Sequence, residues 1–349
     1  MISPRSRTPE WIMGIRKGLR GSDPILIEKM IMALTLVEEL RLSGPDFIFK
    51  GGTSLLLLLG EPRRFSIDID ILLPHETDLG QVFQAIIAMG VFSRFEENRR
   101  PGELPKQHYK FLFNSVIEAK ESHILLDILF EGNPYPRLQD IKLVSPLVAT
   151  EGKATKVTSP TVEGLLGDKL TAFAPHTTGI PYGVGKELEI AKQLFDIGTL
   201  FDAAADLPQI RQAFENVAAD QLAYRQLRKL KPSDVLQDAF DTACMIGMRG
   251  SAVARDEYVE LSEGFKKLAA FIYSGTFTID TAILCAAKAA YLVALLLREE
   301  RSIDRFESGQ ELSSWSISNP DYNKLNKVKK TSPEAFFYYF RALECMQLV

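Results

Sequence analysis

The spacing of apolar residues changes period several times along the first half of the chain. Over residues 25–42 they recur at helical spacing behind Pro24, which predicts a helix stopped by Ser43-Gly44-Pro45-Asp46. A short strand follows at 47–49, then two glycines, a leucine-rich helical turn and a second strand at 65–73. Residues 77–89 read as an amphipathic helix ended by Gly90. Residues 91–97, 108–114 and 122–131 read as strands, with a charged Pro/Gly loop at 98–106. A last short strand is expected at 153–158, and Ser159-Pro160 is expected to open a helix through about Ala174.

The second half differs. After the loop 175–185 the pattern is helical throughout: 186–205, 208–218, 220–230, 233–248, 254–274, 279–300 and 332–346. Residues 1–24 read as a basic, partly helical arm ending in the turn Gly21-Ser22-Asp23-Pro24. The expected fold class is therefore α+β. A domain at 1–175, with a helical arm at 1–45 and a small mixed sheet flanked by helices, precedes a mostly α-helical domain at 176–349.

Composition narrows the function classes. A net charge of −4 over 349 residues predicts no polyanion partner from overall balance, although local patches remain open. Cys244, Cys285 and Cys345 are far apart and without CxxC spacing, which argues against a zinc site or a disulfide framework and suits a reducing compartment. The N-terminal stretch has no long apolar core. The apolar run 279–297 carries Asp280 and Lys288, so it reads as a core helix and not a span, with no membrane partner and a cytoplasmic location expected.

The strand 65–73 holds the first candidate chemistry. Alternation puts Phe65, Ile67, Ile69, Ile71 and Leu73 on one face, and Ser66, Asp68, Asp70 and Leu72 on the other. Two carboxylates on one face suit a hard divalent cation, but a solvated strand face gives the same pattern. Upstream, Gly51-Gly52-Thr53-Ser54 reads either as a phosphate cradle at a helix start or as a tight turn with a cap. It is neither a Walker A nor a G-x-G-x-x-G motif. Lys169 falls inside an apolar helical stripe of Val162, Leu165, Leu166, Leu170 and Phe173, so it either snorkels out or points into a polar cleft. Asp127 is a lone carboxylate in a strand apolar on both faces, where an unpaired charge is costly. Asp196 lies opposite the apolar arc of its helix, where a solvated pair with Lys192 is the simplest reading.

Taken together, a GG[ST] turn, a helix and a D-x-D strand resemble the signature of the polymerase-β-like nucleotidyltransferases. The fuller string, Lys50-Gly51-Gly52-Thr53-Ser54-Leu55 followed by Arg64-Phe65-Ser66-Ile67-Asp68-Ile69-Asp70, resembles the AbiEii/AbiGii (MenT-like) toxin family within them. The match is tight over about 47–73 and looser to about 200. The resemblance implies that Asp68 and Asp70 bind Mg²⁺ or Mn²⁺, with Asp127 as a third carboxylate. It implies a nucleotide and phosphate role for Gly51, Gly52, Thr53, Ser54, Arg64, Ser66 and Lys169, and a positioning role for Asp196. Ser66 occupies a place that is phosphorylated in related toxins.

The expected function is metal-dependent transfer of NMP from an NTP to an RNA, the tRNA 3′ end first. The setting would be a toxin–antitoxin or phage-defence module with a cognate antitoxin. Transfer to a protein or small molecule, or a non-catalytic nucleotide-binding role, stays open. Basic clusters at Arg99-Arg100 with Lys106, at 225–231 and at 324–330 are candidate RNA contacts or plain surface, and Tyr322 and the aromatic run 336–340 are candidate base-stacking or core residues. His75, His108, His123 and His176 show no metal spacing and read as structural.

Overall fold

The computed structural model describes residues 1–19, 22–60, 63–98, 105–250, 255–273 and 275–349. The chain divides into two compact units: 1–133 with 137–161 and 271–275, and 134–136 with 162–270 and 276–349.

The first unit opens with a 3₁₀ turn at Pro4–Arg7, α1 (Pro9–Gly18) and α2 (Pro24–Ser43). Asp23 caps α2 through its side chain, with Pro24 in the first turn. Then come β1 (Ile48–Lys50), α3 (Gly51–Leu58), β2 (Ile69–Leu73) and α4 (Gly80–Ala88). β3 (Arg94–Glu97), β4 (Lys106–Asn114), β5 (Glu121–Phe130), β6 (Leu138–Lys142) and β7 (Lys156–Pro160) complete it. The seven strands form one mixed sheet in the order β3-β4-β5-β2-β1-β7-β6. β2 runs parallel to β5, and β1 runs antiparallel to β2 and parallel to β7.

One sheet face is the core. Phe49, Ile69, Ile71, Leu126, Ile128 and Phe111 are buried there, in one cluster with Ile31, Leu34 and Val37 of α2 and Phe83 of α4. The apolar alternation seen in the sequence marks this face.

Three glutamates of α2 are buried as well. Glu28 accepts from the Ser115 hydroxyl and the Val116 N–H, and Glu38 from the Ile2 N–H and the Thr155 hydroxyl. Glu39 is buried with Oε2 unpartnered among the described residues. Burial pushes its carboxyl up to about 7, with Arg7 pulling down and Glu38 pushing up. A raised folded pKa means that the native state holds a proton the unfolded chain releases near pH 4.5. Stability is then fully present below that pH and falls as pH rises toward about 7. Glu39→Gln is expected to flatten that slope and to stabilise the protein at pH 8 by up to about 3 kcal/mol, as read by urea unfolding at pH 5 and pH 8.

The second unit is helical: α5 (Val162–Ala172), α6 (Glu187–Ala203), α7 (Leu207–Tyr224), α8 (Pro232–Gly247) and α9 (Arg255–Ala269). α10 (Ile279–Leu297), α11 (Val328–Thr331) and α12 (Pro333–Cys345) follow. By length and composition α10 could cross a membrane, but it is the central helix of this unit and mostly buried. Lys288 in its middle is bound by Asp202 at 2.7 Å and Glu334 at 3.3 Å.

Several elements differ from the sequence reading. Residues 208–230 do not form two helices, because α7 runs unbroken through Ala219-Asp220. An aspartate inside a helix costs only a few tenths of a kcal/mol to about 0.7, too little to end one held by packing. Ser159-Pro160 does not open α5. Pro160 closes β7, opposite Leu138 of β6, a strand the sequence reading lacked. The strand expected at 65–73 is paired to its neighbours only from Ile69. Residues 64–65 turn aside instead, with Arg64 bridging Ile272 and the Phe65 N–H donating to the Phe271 carbonyl. The division expected at 175–176 and the one observed differ by α5, which packs on α7. Gly21 and the Arg99-Arg100 pair lie outside the described residues.

Candidate active site

Across four adjacent strands, one transverse row of residues is polar. Lys50 of β1 stands opposite Asp70 of β2, Asp70 opposite Asp127 of β5, and Asp127 opposite His108 of β4. Register partners share a face, so these four side chains lie on the face opposite Phe49, Ile71 and Ile128. Neighbouring strands are about 4.8 Å apart, which sets the two carboxylates side by side. His108 Nδ1 lies 2.7 Å from Asp127 Oδ1.

The turn from β1 into α3 closes over this row. Gly51 has φ +75°, and a Cβ there would lie on the Asp70 carboxylate, 2.8 Å from its Cγ. At Gly52 a Cβ would meet Arg64 Nη2 at 2.6 Å and Ser66 Oγ at 2.7 Å. Gly51 is required by its left-handed backbone, and a side chain at Gly52 would displace the tips of Arg64 and Ser66. Gly51→Ala is expected to cost about 1–2 kcal/mol of stability from the backbone alone, and to lower transfer activity at least tenfold by displacing Asp70. Thermal melting and steady-state kinetics read the two effects separately.

Thr53 and Ser54 are fully buried. The Thr53 hydroxyl donates to the Asp68 carbonyl and accepts from the Ser66 hydroxyl at 3.0 Å, and the Ser54 hydroxyl donates to the Gly51 carbonyl at 2.8 Å. These hydroxyls therefore brace the turn, and any phosphate contact from 53–54 falls to their backbone N–H groups. No side chain of Lys50 caps the start of α3, which leaves the anion-binding character of that helix end in place. Arg64 is buried and donates to the Phe65 carbonyl, against the Gly52 side of the turn.

Lys169 and Asp196 belong to the second unit, on α5 and α6. Lys169 does not snorkel. It is 8% exposed, and its Nζ binds Asp196 Oδ2 at 3.0 Å. Asp196 is 2% exposed, not solvated, and Lys192 Nζ lies 3.0 Å from Glu189 Oε1. α6 is apolar over a wide arc, with Leu194, Phe195 and Ile197 all buried beside Asp196. Next to Lys169, Asp168 accepts from the Tyr135 hydroxyl at 2.7 Å.

The donor chemistry of the sheet row fits a hard divalent cation. Asp70 and Asp127 supply oxygens on one face, and Asp68 lies two residues before Asp70. Among the described residues, no three His, Cys, Asp or Glu side chains form a closed metal cluster.

Sequence reasoning missed His108. Pairing residues 108–114 with 122–131 end to end sets His108 against Ile128, and the observed pairing of Asn114 with Glu121 moves it one residue, opposite Asp127. The aromatic run does not face solvent, since Phe336 to Tyr339 are buried and Phe340 packs on Trp315.

Residues 35–261 match the family model for the nucleotidyl transferase AbiEii toxin of a type IV toxin–antitoxin system. The chain belongs to the AbiEii family. It is therefore a nucleotidyltransferase, and the family implies an antitoxin partner. No curated protein matches the chain. Among solved structures it is similar to JHP933 from Helicobacter pylori, at 17% identity over 78% of this chain and 92% of that one, with a TM-score of 0.42. It is also similar to a "putative nucleotidyltransferase from H. pylori", at 18% identity over 79% and 96%, with a TM-score of 0.44.

Proposed function

We propose that this AbiEii protein transfers NMP from an NTP to an RNA hydroxyl, with the tRNA 3′ end as acceptor, and that this reaction is its toxic activity. The observation that carries the reading is the register of Asp70 with Asp127, beside the Gly51 turn. Carboxylates facing a phosphate-binding helix start are the arrangement that in-line phosphoryl chemistry needs.

Asp68, Asp70 and Asp127 would hold Mg²⁺ or Mn²⁺, which when bound lowers the charge on the phosphates and the pKa of the attacking hydroxyl. The backbone N–H groups of 51–54 receive β- and γ-phosphate oxygens. Lys169, whose Nζ lies 3.0 Å from Asp196, is the lysine that the family resemblance assigns to phosphate binding. Asp196 keeps that ammonium in place. The acceptor oxygen attacks the α-phosphorus, the new P–O bond forms as the bond to pyrophosphate breaks, and the hydroxyl proton passes to solvent water. Arg64 and Ser66 shape the phosphate side of the turn. Ser66 is half-buried, and a phosphate on it would place negative charge beside Asp68.

RNA as acceptor is supported by exposed basic residues outside the sheet row. Arg225, Arg228, Lys229 and Lys231 form one set, and Lys324, Lys327 and Lys330 another. Incubating the protein with each labelled NTP and total tRNA tests the acceptor. Label on intact tRNA, lost when the 3′ ribose is oxidised by periodate, is expected. Label on protein in a whole extract, with tRNA unlabelled, overturns the RNA acceptor.

A further inference from the structure

We propose that His108 is a positioning residue for the metal site, holding the Asp127 carboxylate in its ligating orientation through an Nδ1–H bond. This rests on the reading of Asp127 as a metal ligand.

Three observations support it. First, the contact is direct: Nδ1 to Oδ1 is 2.7 Å, with the two side chains 13% and 24% exposed. Second, it is imposed by the sheet. β4 is paired on both sides, to β3 and β5, and β5 is paired on both sides, to β4 and β2. The backbone therefore cannot shift His108 relative to Asp127 without breaking the β4–β5 ladder. Third, the pair ends the row that contains Asp70, so orienting Asp127 toward β2 turns its carboxylate to the other carboxylate.

The chemistry gives His108 a task that no apolar residue could do. An aspartate carboxylate rotates cheaply about its terminal torsion. Mg²⁺ demands oxygens at about 2.1 Å in near-octahedral array, so a rotating ligand loses affinity. A hydrogen bond to one oxygen removes that rotation and fixes which oxygen faces the ion. Outer partners of this kind are worth about 10–100-fold in metal affinity. Lys106 and Lys110, the same-face neighbours of His108 on β4, stand opposite Leu129 and Leu125 and not Asp127.

The test is Mn²⁺ binding to the full-length protein, followed by electron paramagnetic resonance, without nucleotide or turnover. Asparagine carries its N–H at the place of Nδ1, and glutamine at the place of Nε2. His108→Asn is expected to bind Mn²⁺ within about threefold of wild type. His108→Gln and His108→Ala are expected to weaken it about 10–100-fold. The double variant Asp127→Ala with His108→Ala should bind no more weakly than Asp127→Ala alone, because His108 acts through that carboxylate. Should Asp127→Ala weaken Mn²⁺ while His108→Ala and His108→Gln do not, the positioning role is overturned and the ligand reading stands. If Asp127→Ala leaves Mn²⁺ affinity unchanged, both fall.

Discussion

Asp70→Asn is expected to lower nucleotidyl transfer by about 10³-fold while the protein stays folded, measured as kcat/KM with saturating Mg²⁺. Asp70 is half-buried on the polar face of β2, between Lys50 and Asp127 in the ladder, so an amide of the same shape keeps the strand pairing. What the amide removes is the negative charge at the point where a divalent cation and the NTP phosphates would meet. Charge stabilisation of that kind contributes several kcal/mol to phosphoryl transfer, and each 1.4 kcal/mol is about tenfold in rate. Raising Mg²⁺ should recover little of the loss, because the amide also alters the electrostatics of bound substrate. An unchanged rate would remove Asp70 from the machinery.

The second large effect is on stability. Lys169→Met leaves Asp196, 2% exposed, without its lysine, and Asp196→Leu leaves Lys169, 8% exposed, without its carboxylate. Breaking one side of a buried pair costs about 3–5 kcal/mol, because the surviving charge stays desolvated. Replacing both partners by apolar residues of similar volume removes that penalty. Each single variant should therefore unfold at markedly lower urea, and the double variant Lys169→Met with Asp196→Leu should regain most of the loss. None of the three is expected to transfer nucleotide, since all lack the Lys169–Asp196 arrangement. If the double variant is as active as wild type, the pair is structural only.

How much of this was written in the chain depends on the range of the interaction. The β1–α3–β2 stretch is local, so glycines, alternation and the D-x-D spacing announce both its structure and its site. The core face is equally plain, because Phe65, Ile67, Ile69, Ile71 and Leu73 recur at every second position. Longer-range facts were not legible. A strand apolar on both faces does not tell that parallel pairing of β2 with β5 sets Asp127 beside Asp70. Periodicity alone does not locate the partner of Asp196, because a helix packed on several neighbours is apolar nearly all round and its buried polar member is held by Lys169 of another helix. The strand β6, Leu-Gln-Asp-Ile-Lys, is an edge strand rich in polar residues and gives almost no signal. The pairing of residues 271–272 with 64–65 joins segments about 200 residues apart and leaves none either.

The central claim is that the sheet row and the glycine turn direct attack at the α-phosphorus of an NTP. Parallel reactions with α-³²P and γ-³²P NTP test it most directly, using wild type and Asp70→Asn. The account predicts α-label joined to the acceptor and γ-label released only as pyrophosphate, both at about 10³-fold lower rate in Asp70→Asn. Transfer of γ-label to the acceptor, or equal α-label transfer by Asp70→Asn, would contradict it.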